Sequence, residues 1–408
     1  MLPLFLLACA GRADNPVMVG VDPAVTPAPM PQVQPEIPVS NDSKGDSDLG
    51  AASNAFAADL YAQLPDHGNL IFSPASIQTA MAMTMSGASG ETRTALEKSL
   101  HLNFEGSDQA MGAWLTALNA PAETHTLQVS NRIWPAEDLG LKSEYLALSA
   151  ELYGVQPEQL NYKEPEAARS TINGWVSEQT QERIPELIPS GAITPETRLV
   201  LTNAVYFLAD WERKFDANDT AKRIFNTDPN EGVMVPFMNA TGLQHVGTID
   251  GAQTLVMAYA GGKQEMVLLL PNPDKSLADF GPASLVEAAD SVKPQMTQLS
   301  LPKLEMNWNQ SLARPLVALG MGPAFSDGAD FSKISDEQLL ISEVIHQAFL
   351  KMDEEGTEAA AATAVMMRAT SMPPPPQVTM IVDRPYLFAI RDIESGALLF
   401  VGRVQSPR

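Results

Sequence analysis

The chain offers few groups able to do covalent chemistry. Its five histidines (His67, His101, His125, His245 and His346) are scattered, and none forms an HExxH or His-x-His pair. The single cysteine, Cys9, rules out a disulfide framework, a CxxC motif and a cysteine metal site. No Gly-x-Ser-x-Gly elbow exists, and Gly87-Ala88-Ser89-Gly90 has the wrong spacing for one. Gly320-Met321-Gly322 lacks the third glycine of a dinucleotide fingerprint. These absences argue against a hydrolase, a metalloenzyme and a dehydrogenase, and no cofactor is expected.

What remains is a segment whose spacing suits a mechanical step. Three acids, Asp353-Glu354-Glu355, precede Gly356 and a small-residue run to Val365. Read in steps of two, Thr357, Ala359, Ala361, Thr363, Val365 and Met367 fall on one side. Glu358, Ala360, Ala362, Ala364, Met366 and Arg368 fall on the other, with both charges. A strand alternates its faces with this period. Alanine, however, favours helix over strand, and a proline cluster follows. The segment reads as a loop that can become a strand, with its uncharged face inward.

The elements that must position this loop come from the rest of the 408-residue chain. Composition, 45% hydrophobic and 18% charged, allows a large core. A formal charge of −23 argues against nucleic-acid partners, which need Lys and Arg at phosphates. It also disfavours anionic lipid surfaces, and the 113–126 region has no Lys or Arg for a polyanion. Residues 1–8 are apolar, and Leu6-Leu7-Ala8-Cys9 resembles a bacterial lipoprotein signal ending, with Cys9 as the lipidated residue. The basic n-region and longer apolar h-region of a complete signal are missing. Either the start is assigned too far downstream or the match is accidental. Residues 9–47 read as a Pro-rich flexible tether. The expected setting is extracytoplasmic, lipid-anchored or secreted, with membrane contact only through Cys9.

Residues 48–408 read as one domain. Ala51–Leu64 has helical periodicity, and Ser73-Pro74 marks an N-cap and first turn before a Met-rich buried helix, Ile77–Met85. Ala167–Arg183 is an amphipathic helix. Leu127–Trp134, Thr197–Phe207, Thr254–Tyr259, Glu265–Leu270, Thr297–Met306, Gln377–Val382, Leu387–Arg391 and Leu398–Val404 read as strands. The class is α+β with large antiparallel or mixed sheets.

Several motifs then agree in order and spacing with the serpin family, which the chain resembles over Leu49–Val404. They are Asn69-Leu70-Ile71-Phe72-Ser73-Pro74, Gly87–Thr92, Ile172-Asn173-x-Trp175-Val176 with Thr180, and Leu199–Phe207 with Trp211. Leu301-Pro302-Lys303, His346, Glu354–Thr363, Arg384–Phe388 and Leu399–Val404 complete the set. Gln181-Glu182 and Leu208-Ala209-Asp210 depart from the usual Gly-Lys and Lys-Gly-x, and read as surface changes without bearing on mechanism.

The resemblance implies three β-sheets, eight to nine helices and an exposed reactive-centre loop at about 354–380. It implies a monomeric suicide-type inhibitor of serine, or cysteine, endopeptidases, not an enzyme. A non-inhibitory binding or chaperone-like module is the alternative. Counting from Gly356 as the family does, the cleaved bond is Thr370-Ser371, which suits elastase-like or subtilisin-like proteases. Arg368 competes and would suit trypsin-like ones. Gly356–Ala369 would then insert into the main sheet, with Glu354, Gly356, Thr357, Ala359, Ala361 and Thr363 as hinge. About 14 residues at roughly 3.3 Å each carry the protease about 45–50 Å. Ser73, Ser76, Asn203 and His346 match the family's shutter beneath that sheet. Lys303, Glu354 and Trp211 match its breach, where the loop joins the sheet.

Overall fold

Local sequence rules account for the buried helix at the centre. Ser73 is extended (φ −108°, ψ 103°), its side chain accepts from the Ser76 N–H, and Pro74 occupies the first turn. All thirteen residues that follow, Pro74–Ser86, are buried. Their hydroxyls stay satisfied by bonding carbonyls four residues back, Thr79 to Ala75 and Thr84 to Ala80.

In the computed structural model, residues 43–155, 157–228, 230–357 and 375–407 are described. The chain order begins α1 Ser43–Tyr61, β1 Leu70–Phe72, α2 Pro74–Ser86, α3 Gly90–Ser99, α4 Ser107–Leu118 and β2 His125–Pro135. It continues with α5 Ser143–Tyr153, α6 Pro165–Gln179, β3 Leu199–Asp210, β4 Ala221–Asp228 and β5 Glu231–Ile249. Then come β6 Ala252–Ala258, β7 Gln264–Pro271, α7 Pro282–Asp290, β8 Lys293–Pro302, β9 Leu304–Ser311 and α8 Ala313–Leu316. The last strands are β10 Glu343–Met352, β11 Gly356–Thr357, β12 Val378–Ile381, β13 Tyr386–Asp392 and β14 Leu398–Val404. Eight α-helices are thus present among the described residues.

One sheet has the order β2-β3-β11-β10-β9, with β3 and β10 also paired directly. The other runs β1-β14-β13-β7-β6-β5-β8-β12, with β4 on β5. The expected second and third sheets are joined into one ladder because β5, 19 residues long, pairs with β4 and β8 and then with β6. The sequence reading passed over β4 and β5, whose many exposed residues blur the alternation. It also took Thr297–Met306 as one strand. Lys303 divides it: β8 joins the nine-stranded sheet and β9 pairs with β10 in the other. Helix α1 starts at Ser43, ahead of the expected Ala51, and ends at Tyr61. Phe56, Leu60, Phe72, Phe388 and Phe400, all wholly or almost wholly buried, belong to the single core cluster.

Candidate functional site

The centre of interest is the seam between β3 and β10. These two strands run parallel and pair directly over Glu343–Ala348 and Val200–Val205, with His346 opposite Asn203. Past Ala348 they separate, and β11 fills the far end of the gap. Gly356 pairs with Asp210, and Thr357 with Ala209 on one side and Met352 on the other. Among the described residues, Gly356 and Thr357 of the loop therefore lie in the sheet.

The turn that brings β11 back is tied at every position. The Trp211 N–H donates to the Glu355 carbonyl at 2.8 Å, and its indole Nε1–H to the Asp353 carbonyl at 3.0 Å. Phe215 N–H donates to the Glu354 carbonyl at 3.0 Å. Glu354 is 7% exposed, and its carboxylate lies 2.5 Å from Lys303 Nζ and accepts from Thr220 Oγ1 at 2.6 Å. Burial pushes that carboxyl up, but the Lys303 and Thr220 hydrogen bonds outweigh it and hold it below the ordinary range. Lys214 Nζ bridges Asp210 (2.7 Å) and Glu355 (2.6 Å). Thr357 is fully buried, and its hydroxyl lies 2.7 Å from the Tyr259 hydroxyl. Tyr259 in turn stacks on Trp211, with centroids 4.6 Å apart.

Gly356 is glycine for a steric reason. A Cβ there would lie 2.0 Å from the Ala209 carbonyl oxygen. This overturns one expectation from the sequence. Ala209, within a departure read as surface change, is 1% exposed and is the residue against which the hinge lies. Gln181 and Glu182 are both exposed, as expected of surface positions, and both have positive φ (49° and 64°), a left-handed conformation costly for side-chain-bearing residues.

Below the gap, the four shutter residues come together. The Ser73 N–H donates to His346 Nε2 at 3.1 Å, so the imidazole proton sits on Nδ1 and is donated to Asn203 Oδ1. Asn203 Nδ2 then donates to Ser76 Oγ and to Asn131 Oδ1, the latter at 2.6 Å. Burial lowers the His346 pKa to about 3, keeping the ring neutral.

Sequence reasoning placed Ser73, Ser76, Asn203, His346, Lys303, Glu354, Gly356, Thr357 and Trp211, and the structure gathers them at two ends of one seam. It missed Asn131, Thr220, Lys214 and Tyr259. No local signal marks them, since Tyr259 meets Thr357 across 98 positions of chain. Ala359, Ala361, Thr363, Arg368, Thr370, Ser371 and Cys9 lie outside the described residues. From Pro375 the residues are again described, and β12 pairs in parallel with β8.

The comparisons agree with this geometry. Residues 51–407 match the family model for serpin (serine protease inhibitor). An uncharacterized serpin-like protein of Methanosarcina acetivorans is 32% identical, over 98% of this chain and 96% of its own. The leukocyte elastase inhibitor of Bos taurus is 34% identical, over 88% and 99%. Among solved structures, Serpin48 of the insect Tenebrio molitor superposes with a TM-score of 0.81 at 29% identity, covering 89% of this chain and 99% of that one.

Proposed function

The chain belongs to the serpin family of serine protease inhibitors, and on that premise we propose that it is a single-turnover, suicide-type inhibitor of serine endopeptidases. The observation that carries the reading is β11. Two hinge residues already lie between β3 and β10, uncharged and fully in register. A protease serine attacks the Thr370 carbonyl, expels the Ser371 amine and forms the acyl-enzyme. Gly356–Ala369 then continues the β11 register as a new central strand.

That register has a consequence. Counting on from the Thr357 pairs with Ala209 and Met352, Thr363 comes opposite Asn203 and His346. Completing insertion thus requires the direct β3–β10 pairs to part and the shutter hydrogen bonds to rearrange. Ala359 and Ala361 would meet Phe207, Leu350, Val205 and Ala348, all buried, so small uncharged side chains suit the path. The small Thr370 favours elastase-like or subtilisin-like targets, in keeping with the name of the bovine relative. Cleavage at Arg368 would instead suit trypsin-like enzymes and shorten the inserted strand by two residues. Lipidation at Cys9 would place the inhibitor on an extracytoplasmic membrane face, a reading checked by radioactive palmitate labelling in a bacterial host.

Incubation with a panel of serine proteases tests the function. The expected result is an SDS-stable adduct with the bond Thr370-Ser371 opened, read by mass spectrometry. A loop cut without any adduct would favour the non-inhibitory module.

A further inference from the structure

The register of β11 fixes where the far end of an inserted strand would fall. Counting on from the Thr357 pairs with Ala209 and Met352, Met366 comes between Val200 and Glu343, the last pair of the direct β3–β10 ladder. Nine residues at roughly 3.3 Å each cover that distance, about 30 Å. Alternation puts Met366 and Arg368 on the face opposite Thr357. Val200, Glu343 and Ile345 share that face, the reverse of the one that carries His346.

A cavity of about 620 Å³ opens at that level, lined by those same three residues. Its apolar wall is Ile188 and Ile193 from the connection between α6 and β3, with Val200 and Ile345 from the sheet; none is more than 5% exposed. An unbranched thioether suits an irregular wall of this kind. The rim is charged. Among the described residues lining the cavity, the carboxylates of Glu196 and Glu343 stand against one guanidinium, Arg314 of α8. Glu343 accepts through Oε1, from Ser311 Oγ at 2.6 Å and from the Val344 N–H at 3.0 Å. A carboxylate has further acceptor sites on its second oxygen. Arg198, at the ladder level of Arg368, lines a separate cleft beside Glu137 and Asp138, so the rim keeps its excess negative charge.

We infer that this cavity is the seat of Met366 and Arg368 in the inserted strand, with the thioether on the apolar wall and the guanidinium on Glu343. The seat rests on the proposed loop insertion and adds a choice of bond to it. After a cut at Thr370-Ser371, both side chains are free to seat. After a cut at Arg368, the arginine is itself the acyl residue, held in the protease's own specificity pocket, and the cavity loses it. The lower end of the sheet thus favours trapping through Thr370 over trapping through Arg368.

Thiol reactivity in the full chain tests the seat. Cys9→Ser removes the native thiol, and Met366→Cys places one at the position in question. Once elastase opens Thr370-Ser371, confirmed by mass spectrometry, the melting temperature should rise and alkylation by iodoacetamide should slow about tenfold, because a buried thiol reacts only through local opening. Ala192→Trp, which fills the cavity from its exposed rim, should bring alkylation back to within about twofold of the uncut rate. Glu343→Gln should lower the ratio of SDS-stable adduct to simple cleavage about threefold, the size of a part-exposed ion pair, and should change nothing further in Arg368→Gln. Trypsin, cutting after Arg368, should give far fewer adducts than elastase. A rise in melting temperature with the thiol still reactive overturns the seat and leaves insertion standing. No rise overturns insertion, and the seat with it. Equal effects of Glu343→Gln in both backgrounds overturn the pairing with Arg368, and trypsin adducts at the elastase yield overturn the choice of bond.

Discussion

The two halves of the β3–β10 seam are made by the same pair of strands yet held by opposite means. At the upper end the strands are parted, and two residues of a third strand fill the space, fixed by Trp211, Tyr259, Lys303 and Thr220. At the lower end the strands pair directly over a neutral, buried network of side-chain amides, hydroxyls and one imidazole. The upper half is charged and partly exposed, and the network at the lower half is buried and uncharged. On the proposed mechanism, a strand invading from above would meet first a latch governed by ion pairs, then a lock governed by buried hydrogen bonds. If loop insertion proceeds as proposed, the contrast makes opening the seam and completing insertion separable events.

The largest effect should come from Thr357→Arg. The arginine must be buried beside Tyr259 without a counter-charge, a cost of about 3–5 kcal/mol. β11 should leave the sheet, SDS-stable adducts should vanish, and the protein should become a substrate that is cut and released. Adducts formed at the wild-type yield would break the idea that the hinge must pass through this position. Next comes Asn203→Ala, which strands His346, Ser76 and Asn131 together. A loss of about 3 kcal/mol is expected in urea unfolding, with adduct formation accelerated because the lock is weakened. A variant equal to wild type in both would mean that the lower half is not a barrier.

Acidification sharpens the same contrast. The unfolded His346 protonates below 6.5 while the folded ring stays neutral down to about 3. Its contribution is complete above 6.5 and is lost as pH falls, by about 2 kcal/mol between pH 7 and 5. Glu354 has a lowered folded pKa, so its contribution persists above the ordinary value of 4.5 and fades only as pH falls through the folded one. Urea midpoints should thus drop between pH 7 and 5 in wild type and much less in His346→Gln. Hydrogen exchange at Thr357 should stay protected over that range; early loss there would put the acid-sensitive half at the wrong end. Smallest of all, Tyr259→Phe removes the hydroxyl facing Thr357. It should cost about 1 kcal/mol and speed exchange of the Gly356 and Thr357 amides, leaving 343–348 unchanged. Faster exchange at both ends would mean that the two halves open as one.

Much of this was open to reading in the chain itself. The step-of-two alternation after Gly356, the Ser73-Pro74 cap and the nearly unbroken apolar run at 199–207 carry their meaning locally, because caps and strand faces are set by neighbours one to four residues away. The order of motifs singled out His346, Asn203, Lys303 and Glu354, which the structure sets along the β3–β10 seam. Those features determined the fold class and pointed to the start of the hinge at Gly356 and Thr357.

Other features arise only when distant segments meet. Lys303 ends one strand and begins another because β8 and β9 join different sheets, a choice made by their partners. Ala209 matters because Gly356 lies on its carbonyl, and Tyr259 because it stacks under Trp211. Asn131 completes the shutter from a strand that reads as ordinary core. The seating of Gly356 and Thr357 against β3 was also decided in three dimensions, because their ladder partners Asp210 and Ala209 come from a distant stretch of chain.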